Sequence, residues 1–403
     1  MTTTKATATT RRRVLKGLAA GVGVGAAASF VPTRFAIGQQ AKLKLGLMLP
    51  FTGTYAALGK NIEDGLKLAI AEAGGKLGGR EVDYAVVDDE SDPAKATDNA
   101  NKLVTRDKVD FLIGTVASNV QMAMVKVAVD NDTMHIIPNA GVSAATGAAC
   151  APNVFRTSFS NWQPAFAMGK VSGTQGKKRA LVISWDYAAG KESTAAFTEG
   201  FKQGGGSTEK ELFLPFPQVE FQPLLTQIAA VKPELVYAFF AGGGAVKFVK
   251  DYAAAGLKAS IPLVGPGFLT DGTLEAQGDS AQGLETALHY ADGLDIPKDK
   301  AFRAAFKKAV NREVDVYAVQ GYDTGQLLAT GLAAVKGDMG ARKELIAAME
   351  KTTIDSPRGK FTLSKAHNPI QDFYLRKVVG LENRYVSVAV KALADPATGC
   401  KMA

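Results

Sequence analysis

Ser118 and Gln121 stand three residues apart in FLIGTVASNVQMAMVKVAVD (residues 111–130), where a buried strand stops at Gly114 and a helix opens at Ser118. The S-x-x-Q spacing is that of a capping box, and a helix start leaves backbone N–H groups free to point at something negative. Two readings stay open: Ser118 merely caps its helix, or the bend holds an anion against the positive end of the helix dipole. Metal and nucleophilic chemistry have no comparable footing. Two cysteines and three histidines (His135, His289, His367), with no H-x-x-H or C-x-x-C spacing, give no reason to expect a metal. No G-x-S-x-G, H-E-x-x-H or P-loop pattern occurs. FFAGGGAVKF (239–248) follows a strand and opens a helix, but it lacks the G-x-G-x-x-G spacing and the P-loop Lys-Ser/Thr of a nucleotide site. No cofactor is expected.

The elements that must position these residues alternate. Apolar runs at 43–49, 82–88, 109–114 and 134–139 are separated by helical patterns at about 58–73, 94–106 and 118–131. A second series places strands at 179–185, 209–216, 234–240 and 261–265, with helices between them. Strands alternating with helices of this length predict parallel sheets built from βαβ crossovers, here two doubly wound α/β lobes. NVFRTSFSN (153–161) has no helical period and reads as a strand crossing between them. Beyond Gly283 the pattern predicts helices at about 298–311, 316–336 and 341–351 with no new parallel strand, then KFTLS and the strand pair FYLRKVVG and RYVSVAV. Helices without a strand need an existing sheet to cover, so they return to lobe one and the last hairpin to lobe two. The expected division is 41–155 with 286–353, and 156–285 with 354–403. Three crossings make a hinge with a cleft beside it.

The chain of 403 residues, 46% hydrophobic and 21% charged, has the composition of a globular protein of more than one domain. Its net charge of +8 falls to about +2 once residues 1–40 are set aside, because they hold Lys5, Arg11, Arg12, Arg13, Lys16 and Arg34 and no acid. No basic stripe with interleaved aromatics remains, so a nucleic-acid partner is not expected. TRRRVLKGLAAGVGVGAAASFVP, a twin arginine before a weakly hydrophobic Gly/Ala run, resembles a twin-arginine export signal and is too short to span a membrane. A periplasmic protein follows. In that oxidising compartment Cys150 and Cys400 are expected to form a disulfide.

Six pieces in order carry a more specific resemblance: LKLGLMLPFTGTYAALGKNIEDGLKLAIAEAG, VVDDESDPAKATDNANKLV, DFLIGTVASN, VFRTSF, PELVYAFFAGGGAVKFVKDYAAAGL and GYDTGQLLATGL. Together they resemble the leucine/isoleucine/valine-binding family of periplasmic receptors for ABC transporters, over about residues 43–380. The resemblance implies a type I periplasmic binding protein fold that closes on a small solute and presents it to a membrane permease. It implies that Ser118, with Asn139 and Gly141 in PNAGVS, holds a ligand carboxylate. Phe51, Tyr55, Tyr187, Phe240, Phe268 and Tyr322 match strand ends and loops that line the pocket in relatives, although core packing would use the same residue types. Arg156, in the crossing strand, is expected to anchor it by an ion pair.

Two departures bear on the ligand. Branched-chain amino acid receptors carry a glutamate after Gly-Pro to pair the ligand ammonium, whereas LVGPGFLT has Gly267 there. The family's tyrosine of the second lobe aligns near Gly242, inside AGGGA. An ammonium buried without a carboxylate partner is costly, and the glycines are expected to widen the cleft. The expectation is therefore a monomeric receptor for a small carboxylate, an aromatic acid in preference to the alternative of a branched-chain amino acid or amide. An exported enzyme is disfavoured because no acid/base pair is placed in the cleft, and a fused sensor because no output segment is read.

Overall fold

Strand β1 (Leu43–Leu49) is buried at every residue except Lys44, as a strand covered by helices on both faces must be. A computed structural model describes residues 41–403; the export-signal expectation lies outside the described residues. With β2 (Lys76–Leu77), β3 (Arg80–Asp88), β4 (Phe111–Gly114), β5 (Met134–Ile137) and β6 (Val154–Arg156), β1 forms a sheet of order β2-β3-β1-β4-β5-β6. All its pairings are parallel except β2 with β3. The crossovers are α1 (Ala56–Glu72), α2 (Ala96–Asn101) and α3 (Ser118–Asp130). The helix expected over 94–106 is broken: α2 ends at Asn101 and a π turn runs from Lys102 to Arg106.

After β6 the chain crosses to a second sheet. Helix α4 (Trp162–Thr174) precedes β7 (Arg179–Asp186), α5 (Ala188–Gln203), β8 (Ser207–Pro215), α6 (Gln222–Val231), β9 (Leu235–Phe239), α7 (Gly242–Ala254), β10 (Leu263–Pro266) and α8 (Leu274–Gln277). A further parallel strand then appears where none was expected. β11 (Glu285–Leu288) pairs with β10, and its four residues, one of them a glutamate, are too few and too polar for an apolar run to reveal.

Helices α9 (Pro297–Val310), α10 (Val316–Ala334) and α11 (Arg342–Glu350) follow, then β12 (Thr362–Leu363), β13 (Pro369–Val379) and β14 (Glu382–Leu393). α10 lies against α1. The approach is close because both helices offer glycine: a Cβ at Gly65 would overlap the Ala318 carbonyl, and one at Gly321 the Ile62 carbonyl. β13 pairs antiparallel with β11, and β14 with β13, so the last hairpin completes the second sheet. The chain thus passes between the two lobes after β6, after β11 and after α11. From β14 the tail runs back to the first lobe, where Cys400 is disulfide-bonded to Cys150. Among the described residues no helix is long and apolar enough to cross a membrane.

Arg156 holds the first crossing, though not by an ion pair. Its buried guanidinium donates through its two terminal nitrogens to Thr146 Oγ1 (3.0 Å), Asn368 Oδ1 (2.9 Å) and the Val142 carbonyl (2.5 Å), all neutral acceptors, while its Nε has no partner among the described residues. Burial without a close carboxylate pushes its pKa down to about 10. The third crossing is fixed by Arg358, which lies 3.3 Å from Asp323 and donates to the Thr157 carbonyl at 2.6 Å.

Candidate functional site

Helix α3 begins where β4 ends, and its first turn opens into a cavity between the two sheets. Ala117 occupies the N-cap position, so Ser118 is the first helical residue and its side chain makes no capping bond. The expected capping box does not form. Gln121 is used elsewhere: its Oε1 accepts from the Thr115 N–H at 3.0 Å and its Nε2 meets His135 Nε2 at 2.5 Å. Burial drives the His135 pKa down to about 4, which keeps the ring neutral at ordinary pH. Freed from capping, Ser118 Oγ lines the cavity and accepts from Asn161 Nδ2 at 3.4 Å.

The next strand-to-helix turn supplies Asn139 and Gly141 to the same wall. Asn139 Nδ2 is committed to Gln320 Oε1 at 2.7 Å, which fixes the turn against α10. Gly141 admits no side chain: a Cβ there would overlap Asn161 Oδ1 and lie 2.6 Å from Phe159. Asn161 also donates to Glu192 Oε2 at 2.8 Å, and Glu192, from α5 of the other lobe, accepts from the Ser143 N–H at 3.0 Å. Burial pushes the Glu192 pKa upward against these hydrogen bonds.

The rest of the lining is apolar and aromatic. Phe159, Phe239 and Phe268 form one group, with ring centroids 4.7 Å apart for Phe159 and Phe268 and 6.4 Å apart for Phe239 and Phe268. Leu58, Val116, Ala189 and Ala241 fill between them. Tyr55 and Tyr187, one from each lobe, meet through their hydroxyls at 3.1 Å. Tyr317, from α10, completes the lining. The cavity volume is about 30 Å³, well below the usual range for ligand pockets, so its walls must part to take a ring. No lining side chain carries a charge. Backbone N–H groups at two turns with a serine hydroxyl suit an anion, and the flat aromatic walls suit a ring.

Of the residues named from the sequence, Ser118, Asn139, Gly141, Tyr55, Tyr187 and Phe268 come together here; five do not. Phe240 points away from the cavity into the second lobe's core, against Trp185 (5.1 Å), Phe221 (4.9 Å) and Phe248 (4.7 Å). Its neighbour Phe239 faces the cavity instead, because successive side chains leave a strand on opposite faces. Tyr322 lies between α1 and α9, bonded to Glu72 (2.5 Å) and Lys298 (2.7 Å). Tyr317, five residues earlier and so about 140° around the helix, takes the inward place. Phe51 packs against the core beside the loop that Asp88 holds through the Phe51 N–H at 2.8 Å.

The two glycine positions do not widen the cleft. A Cβ at Gly267 would overlap Arg376, whose guanidinium pairs with buried Asp271 at 2.6 Å; the room a glutamate side chain would need is already filled. Gly242 has φ +54° and touches the Thr54 carbonyl across the lobes, while Gly244 lets the Trp185 ring approach α7. Glycine here permits contact. Phe159, Asn161, Phe239 and Tyr317 were missed, although the first two lie in NVFRTSFSN, whose lack of period marked a crossing but not a pocket wall.

The model of a family described as periplasmic binding protein matches residues 42–383. A Leu/Ile/Val-binding protein homologue of Brucella melitensis biotype 1 is 31% identical over 345 residues, 83% of this chain and 87% of that one. A crystal structure of a solute-binding protein of an ABC transporter from R. palustris, in complex with benzoate, is 51% identical, with a TM-score of 0.87 over 90% of this chain and 100% of that one. Another, from Rhodopseudomonas palustris BisB5 in complex with 3,4-dihydroxybenzoic acid, is 31% identical, with a TM-score of 0.83 over 88% and 99% of the two chains.

Proposed function

The chain belongs to the periplasmic binding protein family, and from that premise we propose that it is the receptor of an ABC importer for a small aromatic carboxylate. The observation that carries this reading is the uncharged cavity lined by Phe159, Phe239 and Phe268 together with Ser118 and Gly141. Ser118 Oγ and the N–H groups at the start of α3 and in the following turn hold the carboxylate; the rings hold the body. The absence of a carboxylate from the lining argues against an α-amino acid, whose ammonium would be left unpaired. The benzoate and dihydroxybenzoate bound by the two similar proteins support the same class.

In this reading the protein is a monomer without enzymatic activity that opens and closes about its three crossings. Ligand favours the closed form because only there do both lobes touch it. The closed form delivers the solute to the permease. Residues 1–40 direct export to the periplasm by the twin-arginine route. A thermal-shift panel of benzoate, hydroxybenzoates, phenylpropenoid acids and the branched-chain amino acids tests the reading. Stabilisation by the aromatic acids alone is expected; stabilisation by leucine or valine alone overturns it.

A further inference from the structure

One buried polar group of the cavity lining is left without a partner among the described residues. Tyr317 is fully buried and lines the cavity, yet its hydroxyl has no hydrogen-bond partner among the described residues. The other two tyrosine hydroxyls of the lining are paired with each other. A buried hydroxyl left unpaired is unfavourable, and Tyr317 is one of the residues that line the cavity. Its surroundings also differ from those of the carboxylate-binding wall. Ser118 is bonded by Asn161, which in turn bonds Glu192, whereas the Tyr317 ring lies beside Gly272, next to the Asp271–Arg376 pair of the other lobe.

We propose that Tyr317 recognises a hydroxyl group on the ligand's ring, so that the preferred ligand is a hydroxylated aromatic acid and not the unsubstituted one. This rests on the aromatic-carboxylate reading and narrows it. With Ser118 and Gly141 holding the carboxylate and the phenylalanine rings flanking the ring, the substituent that reaches Tyr317 either accepts its proton or donates to its oxygen. An unsubstituted ring leaves the Tyr317 hydroxyl as unpaired as it is without ligand. Sites built to hydrogen-bond a ligand hydroxyl discriminate strongly against the analogue lacking it.

The test is calorimetric titration of the wild-type protein and of Tyr317→Phe with benzoate and with 2-, 3- and 4-hydroxybenzoate. At least one hydroxybenzoate is expected to bind wild type ten-fold or more tightly than benzoate. Tyr317→Phe should then weaken that hydroxybenzoate about ten-fold while leaving benzoate within about three-fold, the range set by one buried hydrogen bond. Equal losses for benzoate and the hydroxybenzoate, or no hydroxybenzoate preferred by wild type, overturn the proposal while leaving the aromatic-carboxylate reading standing. No binding of any of the four acids to wild type removes that reading, and this one with it.

Discussion

The hydroxyls of Tyr55 and Tyr187 lie 3.1 Å apart, one residue following β1 of the first sheet and the other following β7 of the second. Close by, the Gly243 N–H reaches the Thr54 carbonyl at 3.5 Å, again across the lobes. Each contact joins a loop of one lobe to a loop of the other beside the cavity, and on the proposed hinge motion each would be lost when the cleft opens. Burial raises both tyrosine pKa values, so the pair stays a neutral hydrogen bond at ordinary pH.

Tyr55→Phe or Tyr187→Phe alone leaves the other hydroxyl buried and unpaired in the closed form. Each single variant should weaken ligand binding by about 1–3 kcal/mol, whereas the double variant, with both hydroxyls gone, should lose less than the sum. A double-mutant cycle by calorimetry checks this. Strictly additive losses would mean that the two hydroxyls do not act together on closure.

Ser118→Ala should weaken binding of an aromatic carboxylate by about 1–3 kcal/mol, the range for a hydrogen bond to a charged group, with little change in thermal stability. Because Ala117 is the N-cap, the substitution removes no capping bond. A large fall in the melting temperature of the ligand-free variant would instead assign Ser118 to the fold.

Gly141→Ala should be more damaging to binding than Ser118→Ala. Its Cβ would displace Asn161 and Phe159, both cavity residues, so binding should fall below detection while circular dichroism stays native. Retained affinity would mean that this wall can shift aside.

Much of this site was legible, and two of the failures share a cause. The alternation of strands and helices fixes which chain segments meet at the strand ends, so Ser118 could be picked out from its βα turn, whereas Asn139 and Gly141 came only with the family resemblance. Which side chain of a turn faces the cavity depends on register and helical phase, so Phe239 replaces Phe240 and Tyr317 replaces Tyr322. The space at Gly267 was misread for a different reason. Arg376 comes from β13, more than a hundred residues away in sequence, and only the antiparallel pairing with β11 brings it there.

Asp89 offers a pH test. Burial lifts its carboxyl to about 6 although Thr115 and the Ser91 N–H donate to it. Its folded pKa lies above the usual unfolded value of about 3.9, so the folded protein favours the protonated form. The stabilisation from that proton is present at low pH and lost as pH rises through about 6. Relative to wild type, Asp89→Asn should therefore gain on the order of 2 kcal/mol between about pH 4 and pH 8. Urea midpoints that track each other across that range would contradict it.

The Cys150–Cys400 bond closes a separation of 250 residues and ties the tail that leaves β14 to the first lobe. Cys400→Ser should lower stability by less than the roughly 4–5 kcal/mol of the chain-entropy model, because only a short tail docks there. The fall in urea midpoint should be matched by adding reductant to wild type; an unchanged midpoint in both would show that the tail contributes nothing.

The aromatic-carboxylate reading is tested most directly by calorimetric titration of the exported protein, freed of co-purified ligand by unfolding and refolding, with benzoate or a hydroxybenzoate and, separately, with leucine. Saturable one-to-one binding of an aromatic acid at micromolar or lower Kd, with no heat from leucine, is the expected result. Tight binding of leucine with none of the aromatic acids would contradict it, and would require a carboxylate to reach the cavity that none of its lining residues supplies.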